Sequence, residues 1–431
     1  MTPPQIVASS IFIVTFLVIL SERLHRTIAA LTGAAVMLIA GMSLGFYTQE
    51  KALAAIDFNT LGLLLGMMVL VRMLQQTGFF DYVAILAAKR TRGSPLLLFV
   101  TLGTLTTVLS MFLDNVTTVV LIAPVTILIA ELLGINPIPM LMAEALLSDT
   151  GGVATLVGDP PNVMIGSAAG FSFVSFLTHL APIALMAWLV ALVVLRIVFH
   201  REIGERPGNA GTLMQLDENE GLHDRVALRR ILIVLGAVII LFFLQGVLHV
   251  APGVIALGGA TAALLWVRPD VEETLGRVEW SVLLFFGALF VTAGGLEASG
   301  VLGLIADRIA GLADASLLGA SLLMLWVAAG LSSVVDNIPF TIAMIPVIER
   351  LGHLGINPVP LWWALALGAG FGGNGTPIGS TANVVTVTLS EKTRTPITTG
   401  VWMRSGLPVM LATCVIASVM FVLLFGWMQK P

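Results

Sequence analysis

Charge is what this chain has least of. Among 431 residues there are 21 Lys+Arg and 25 Asp+Glu, 11% in all, while 57% are hydrophobic. An ordinary soluble domain is about a quarter charged, so this composition, with a mean hydropathy of +1.01, excludes a water-soluble enzyme and points to a polytopic membrane protein. Cysteine is almost missing. The one thiol, Cys414, sits inside a late apolar run, which excludes both a disulfide framework and a thiolate metal cluster. The net charge of −4 is small and dispersed, so no nucleic-acid or acidic partner is implied. The six histidines are read at run ends or in loops without His-Glu-x-x-His spacing, and an intramembrane hydrolase would lack its base. The chain is therefore expected not to be an enzyme.

Apolar runs and helix breakers are abundant. A spanning helix needs about 20 apolar residues, and runs near that length occur at Ile6–Leu20, Ile28–Phe46, Leu61–Thr77, Pro95–Leu113, Val116–Leu133, Pro139–Thr155 and Phe176–Phe199. A second series follows at Ile231–Leu248, Val254–Trp266, Val282–Leu296, Leu317–Val335, Ile338–Ile348, Trp362–Phe371, Val384–Leu389 and Leu407–Trp427. Ile6–Leu20 is followed by Glu22, Arg23 and Arg26 rather than a small-residue cleavage site, so it reads as a spanning helix and not a signal peptide. Between the series, residues 201–230 carry eleven charged side chains. This divides the chain into a first membrane unit (1–200), a linker (201–230) and a second membrane unit (231–431). With 43 Gly and 20 Pro, the runs are rich in breakers that a bilayer tolerates only where backbone lines a cavity or is buried in protein.

The two units are a duplication. Asp114-Asn115 recurs as Asp336-Asn337 and Pro124 as Pro346, each displaced by 222; Gly152, Thr155, Gly158 and Asn162 recur as Gly373, Thr376, Gly379 and Asn383, displaced by 221. If Pro95–Leu133 is a hairpin that enters and leaves on one side, each unit has about five crossings, an odd number, and the second unit is inverted. With the N-terminus outside, Arg23, Arg26, Lys89, Arg90, Arg92, Arg196, Arg201, Arg206, Arg225, Arg229, Arg230, Arg268, Arg277, Lys392, Arg394 and Arg404 fall inside, against Lys51, Arg308, Arg350 and Lys430 outside. That asymmetry fits the positive-inside rule. The expected fold is an all-α polytopic membrane protein of two inverted repeats, each with a re-entrant hairpin and an unwound helix, both termini outside and the linker cytoplasmic. Inverted repeats are a common architecture of secondary transporters.

Polar groups gather at two broken elements per repeat. At the hairpin tips, Asn115 reads as an N-cap with Thr117 in the next turn, and Pro339 takes a first-turn position in the second repeat. In Asp149–Asn162, the breakers Gly151, Gly152, Gly158, Pro160 and Pro161 must unwind the helix near Asp159. Intramembrane carboxyls are functional hypotheses by default. Asp114, Asp336 and Asp159 are the expected proton-coupling groups, Asp149 and Glu144 the possible relay. Asn115, Thr117, Asn162, Asn337, Asn383, Thr155, Thr376, Gly158 and Gly379 are the expected substrate contacts. Arg72 reads as snorkelling, with Glu144 as a possible partner. Gly368–Gly373 satisfies a dinucleotide string but lacks a strand–helix unit around it, and the 18 Met residues read as core filler. No metal or other cofactor is expected beyond proton coupling, with sodium as an option.

The stretches Asp114–Thr126 and Gly151–Asn162 resemble the signatures of the ion transporter superfamily, in the branch of ArsB-type arsenite permeases, NhaD-type sodium/proton antiporters and P protein. The resemblance covers nearly the whole chain. It implies alternating access, two re-entrant hairpins, a location in the cell inner membrane and a homodimer, with a soluble ATPase as a further possible partner. The family's dicarboxylate transporters carry Ser-Asn-Thr at the tips, where this chain has Asp114-Asn115-Val116-Thr117 and Asp336-Asn337-Ile338-Pro339; paired carboxylates would repel a dicarboxylate. The resemblance therefore implies arsenite or antimonite efflux as the neutral trihydroxide in exchange for protons, with a sodium/proton antiporter as the alternative. With one thiol only, arsenic would be held through its hydroxyls rather than by sulfur.

Overall fold

The computed structural model describes residues 1–21, 23–204, 213, 217–334 and 336–431. Glu22, Glu205, Arg206 and Val335, used above in the charge count and run boundaries, lie outside the described residues. The first half supplies α1 (Pro3–Leu20), α2 (Arg26–Ser43), α3 (Gln49–Ala54), α4 (Phe58–Gln76), α5 (Phe79–Arg90), α6 (Pro95–Ser110), α7 (Asn115–Leu133), α8 (Ile138–Gly152), α9 (Pro160–Ala169) and α10 (Phe173–Val198). After a 3-10 turn at Glu202–Gly204 come α11 (Arg225–Leu248), α12 (Pro252–Val267), α13 (Val271–Gly276), α14 (Trp280–Ala298), α15 (Val301–Ala315), α16 (Leu317–Ser332), α17 (Asn337–His353), α18 (Val359–Gly373), α19 (Thr381–Ser390), α20 (Thr399–Leu423) and α21 (Phe425–Met428). No strand occurs among the described residues.

The duplication holds element by element. Helices α4, α5, α6 and α7 start at Phe58, Phe79, Pro95 and Asn115; α14, α15, α16 and α17 start 222 residues later, and α18 and α19 start 221 after α8 and α9. Packing exchanges partners between the halves: α2 packs chiefly on α14, and its counterpart α12 on α4. That is the pattern of a pseudo-two-fold relation. Helices α5 and α15 were not among the apolar runs because they mix apolar positions with Asp81, Lys89 and Arg90, or with Asp307 and Arg308.

Among the described residues, α1, α2, α4, α7, α10, α11, α14 and α20 are long and apolar enough to cross a membrane; α6, α12, α16 and α18 are apolar but shorter. This is a multi-pass membrane protein. Helices α6 and α7 are joined by four residues, so they double back as a hairpin. A helix apolar on every side belongs in the interior. Helix α8 is buried at every residue, and α18 from Pro360 to Gly373, so the two broken helices form the centre. The linker returns to the first half, where Lys89 Nζ lies 2.5 Å from Glu218 Oε2 and the His223 amide donates to Thr77 O at 3.0 Å. Arg225–Arg230, assigned to the linker from the sequence, already form the first turns of α11.

Candidate functional site

Each hairpin ends where a broken helix unwinds, and the same bonds recur in both repeats. Ser110 Oγ donates to Ser148 O at 2.9 Å and Ser332 Oγ to Ala369 O at 2.6 Å. The hydroxyls of Thr155 and Thr376 donate to Met111 O and Ser333 O. Asn162 Nδ2 donates to Thr155 O at 2.8 Å and to Gly152 O and Val153 O at 3.2 Å; Asn383 Nδ2 donates to Gly373 O at 2.8 Å and Thr376 O at 3.1 Å. These amides satisfy carbonyls that the broken helices would otherwise leave orphaned. Gly158 and Gly379 permit the approach. A Cβ on Gly158 would lie 2.5 Å from Gly152 O, and one on Gly379 2.5 Å from Gly373 O.

Proline decides which carboxyls are free. An N-cap side chain accepts from the backbone N–H of the second or third helical residue. Asp114, rather than Asn115, is the N-cap of α7: its Oδ1 accepts from Thr117 N at 2.8 Å and its Oδ2 from Thr117 Oγ1 at 2.6 Å. In the second repeat, Pro339 stands in place of Thr117 with neither N–H nor hydroxyl, and Asp336 makes no cap bond. Asp336 instead accepts from Arg26 Nη1 at 3.2 Å and Thr381 Oγ1 at 3.1 Å. The same device frees Asp159 ahead of Pro160 and Pro161, whereas its counterpart Ser380 caps α19 through Ala382 N at 3.3 Å.

The freed carboxyl of Asp159 meets the opposite repeat. Asn337 Nδ2, at the second hairpin tip, lies 3.0 Å from Asp159 Oδ2. Asp149 is its neighbour in the centre: Oδ1 accepts from Asn115 Nδ2 at 2.6 Å and Ser380 Oγ at 3.2 Å. Asn374 Nδ2 donates to Thr150 Oγ1 at 3.1 Å, a third bond between the two repeats. Asp149 and Asp159 are each 2% exposed, and no basic side chain pairs with either among the described residues. Both come from the first repeat, facing Gly370 and Ser380 where a symmetric pair would put two more side chains; a Cβ on Gly370 would lie 3.7 Å from Asp159 Oδ2. Asp149 Oδ2, Asn162 Oδ1, Asn374 Oδ1 and Asn383 Oδ1 are buried acceptors without a hydrogen-bond partner.

The structure thus brings Asn115, Asn337, Asp149, Asp159, Asn162 and Asn383 together, with Thr155, Thr376, Gly158 and Gly379 shaping the loops beneath them. Thr117 serves its own cap. Glu144 stands apart, fully buried, accepting from the Thr126 hydroxyl through Oε1 and unpartnered at Oε2; Arg72 donates to Gln75 instead. Asn374 and Ser380 were missed because they replace Val153 and Asp159 in the repeat and so fell outside the matched positions. The placement of all histidines at run ends or in loops is corrected at His179. It lies within α10, 3% exposed, stacked between Trp363 and Trp427.

Two clefts open at repeat-equivalent places. One, of about 490 Å³, is lined by Asp57, Met164, Glu297, Ile342 and Glu349. The other, of about 100 Å³, is lined by Arg72, Gln75, Val120, Arg277 and Glu279. Asp57 and Glu279, Gln75 and Glu297, and Val120 and Ile342 are each 222 residues apart, so the duplicated fold is wide at one end and narrow at the other.

A protein-family model described as citrate transporter (CitMHS) matches residues 16–368. A 46 kDa membrane protein of Mycobacterium leprae is 40% identical over 425 residues, covering 96% of this chain and 97% of that protein. The P protein of Homo sapiens is 34% identical over 491 residues, covering 95% of this chain and 59% of the longer protein. Among solved structures, the YdaH transporter of Alcanivorax borkumensis aligns over the whole of both chains with a TM-score of 0.63 at 15% identity, a likeness of fold.

Proposed function

Since the chain belongs to the CitMHS family of transporters within the ion transporter superfamily, we propose that it is a secondary active transporter coupled at Asp149 and Asp159. One observation carries this reading: two carboxyls, ten residues apart across one broken helix, are buried among amide and hydroxyl donors, with no cationic side chain paired to either among the described residues. An isolated buried carboxylate is strongly unfavourable, so each needs a proton or a bound cation. A site that must take up and release positive charge suits coupling. Asp114 is engaged by its own cap and Asp336 by Arg26, so both give way to Asp149 and Asp159 as the coupling groups. Glu144, five residues before Asp149 on the same helix, is assigned the relay.

The cargo we assign is arsenite or antimonite as the neutral trihydroxide, exported in exchange for protons. The unpartnered oxygens of Asn162, Asn374 and Asn383 are acceptors for its hydroxyls, and Cys414, buried and single, supplies no thiolate site. The oxygen-only set also favours a second reading, sodium/proton exchange at the same carboxyls. A citrate-like anion would meet Asp149 and Asp159 with no adjacent cation. The wide and narrow repeat-equivalent clefts support alternating access, in which an inverted second repeat places them on opposite membrane faces.

The test is uptake into proteoliposomes under an imposed proton gradient, with arsenite, sodium and citrate as separate arms. Arsenite movement that collapses with the gradient supports the first reading. Sodium-driven proton movement without arsenite transport supports the second, and citrate uptake alone overturns both.

A further inference from the structure

The two hairpin tips are equivalent in sequence but not in their contacts, and the difference lies at Arg26. Its Nη1 is 3.2 Å from Asp336 Oδ2 and 2.5 Å from Thr381 Oγ1, and its guanidinium carbon sits 5.5 Å from the centre of the Phe285 ring. At the first hairpin tip Asp114 is held by Thr117 instead, and no ion pair to it occurs among the described residues.

The helices that this ion pair joins are otherwise packed elsewhere. Helix α2, which Arg26 begins, packs mainly on α14 and α1, while α17, which Asp336 caps, packs mainly on α15, α18 and α9, and α19, which carries Thr381, on α7 and α8. Between them lies a cleft of about 300 Å³ lined by Leu20, His25, Arg26, Asp336, Ile378 and Thr381. The ion pair therefore bridges a gap rather than completing a packed interface. Its location is also defined: Thr27 Oγ1 donates to Ser281 O at 2.9 Å, which fixes the start of α2 beside Arg277–Glu279 at the narrow repeat-equivalent cleft.

We propose that Arg26 and Asp336 form a latch holding the Val278 end of the molecule closed in this state, and that the pair parts when that end opens. Arg26 is a positioning residue, acting through the second hairpin tip and touching no cargo. This inference rests on the alternating-access reading above.

The experiment reads accessibility without any cargo, so failure of the latch and failure of the transporter reading are separate outcomes. In a Cys414→Ser background, Val278→Cys (narrow cleft) and Ala168→Cys (wide cleft) are labelled in proteoliposomes with a membrane-impermeant maleimide. Arg26→Gln and Asp336→Asn are each expected to raise labelling at 278 about fivefold, as loss of about 1 kcal/mol from a largely buried, partly solvated pair gives, and to lower it at 168. Arg26→Lys keeps the charge and stays near the parent rate. Arg26→Asp combined with Asp336→Arg restores it. Thr381→Val, which leaves both charges in place, gives a smaller shift in the same direction and serves if a charge variant fails to fold. Unchanged labelling in the single variants, or a charge swap no closer to the parent than they are, overturns the latch.

Discussion

Asn337 Nδ2 lies 3.0 Å from Asp159 Oδ2, so the tip of the second hairpin and the break in the first repeat's helix meet through one hydrogen bond. It joins residues 178 positions apart at a buried carboxyl, and no other hydrogen bond to that oxygen occurs among the described residues. Hydrogen bonds to charged groups contribute about 1.5–3 kcal/mol. Asn337→Ala removes a donor that favours the empty, charged carboxylate over the protonated one, so it is expected to tighten the apparent affinity for the coupling proton by roughly 10- to 100-fold, read from the pH dependence of transport in proteoliposomes. An unchanged affinity would remove Asp159 from the coupling site.

The carboxyls divide by what holds them. Asp149→Asn and Asp159→Asn are expected to abolish coupled transport while leaving folded protein in the membrane, because Asn retains the shape and accepts the same donors. Asp114→Asn should behave differently, since Asn caps a helix about as well as Asp; coupled transport stays near the parent rate. Asp114→Ala loses the cap and costs about 1 kcal/mol of stability, measured as a lower Tm in detergent. Loss of coupling in Asp114→Asn with a normal Tm would return this residue to the proton path.

Glycine at the helix breaks is a steric requirement. Gly158→Ala puts a methyl group 2.5 Å from Gly152 O and 2.7 Å from Ser110 O, and Gly379→Ala one 2.5 Å from Gly373 O. These neighbours are backbone and cannot swing away. Overpacking of this kind costs about 1–3 kcal/mol, so both variants should show a lower Tm and reduced transport. Gly258→Ala, where nothing lies within 4 Å of the new carbon, should raise neither problem. Equal Tm values for the three would mean that the unwound loops are looser than this packing.

Much of this is legible in the sequence. The duplication, the hairpin tips and the unwound segments carry breakers and polar residues that a bilayer makes expensive, and these stand out against Leu and Val. What escaped was relational. That Asp149 would meet Ser380 and Asp159 would meet Asn337 depends on the two repeats crossing, and Gly370 and Ser380, which make room for the carboxyls or donate to them, are unremarkable in sequence. Asp114 and Asp336 looked equivalent because the residue that separates them is three positions on, where Thr117 gives way to Pro339. Helices α5 and α15 were missed for another reason: their apolar stripe is interrupted by charge, which a search for continuous runs passes over.

The linker gives a prediction whose sign follows from charge. Glu218, in the loop before α11, is held below its ordinary carboxylate value chiefly by its hydrogen bond to Lys89, and Asp217 beside it is also held low, chiefly by the Asn219 amide. Groups with depressed folded-state values contribute attachment that is fully present above the usual carboxylate range and lost as the pH falls through the depressed values. The linker should therefore remain docked on α5 from pH 8 to 5 and detach only below about pH 4. Hydrogen exchange at 217–224 in detergent reads this directly, because the His223 amide donates to Thr77 O and is protected only while docked. Glu218→Gln keeps a polar end but removes the charge, so protection at His223 should fall at pH 7 and lose its acid dependence near pH 4. Protection that persists well below pH 4, or an acid dependence that survives in Glu218→Gln, would mean that contacts other than the Lys89–Glu218 pair fasten the linker.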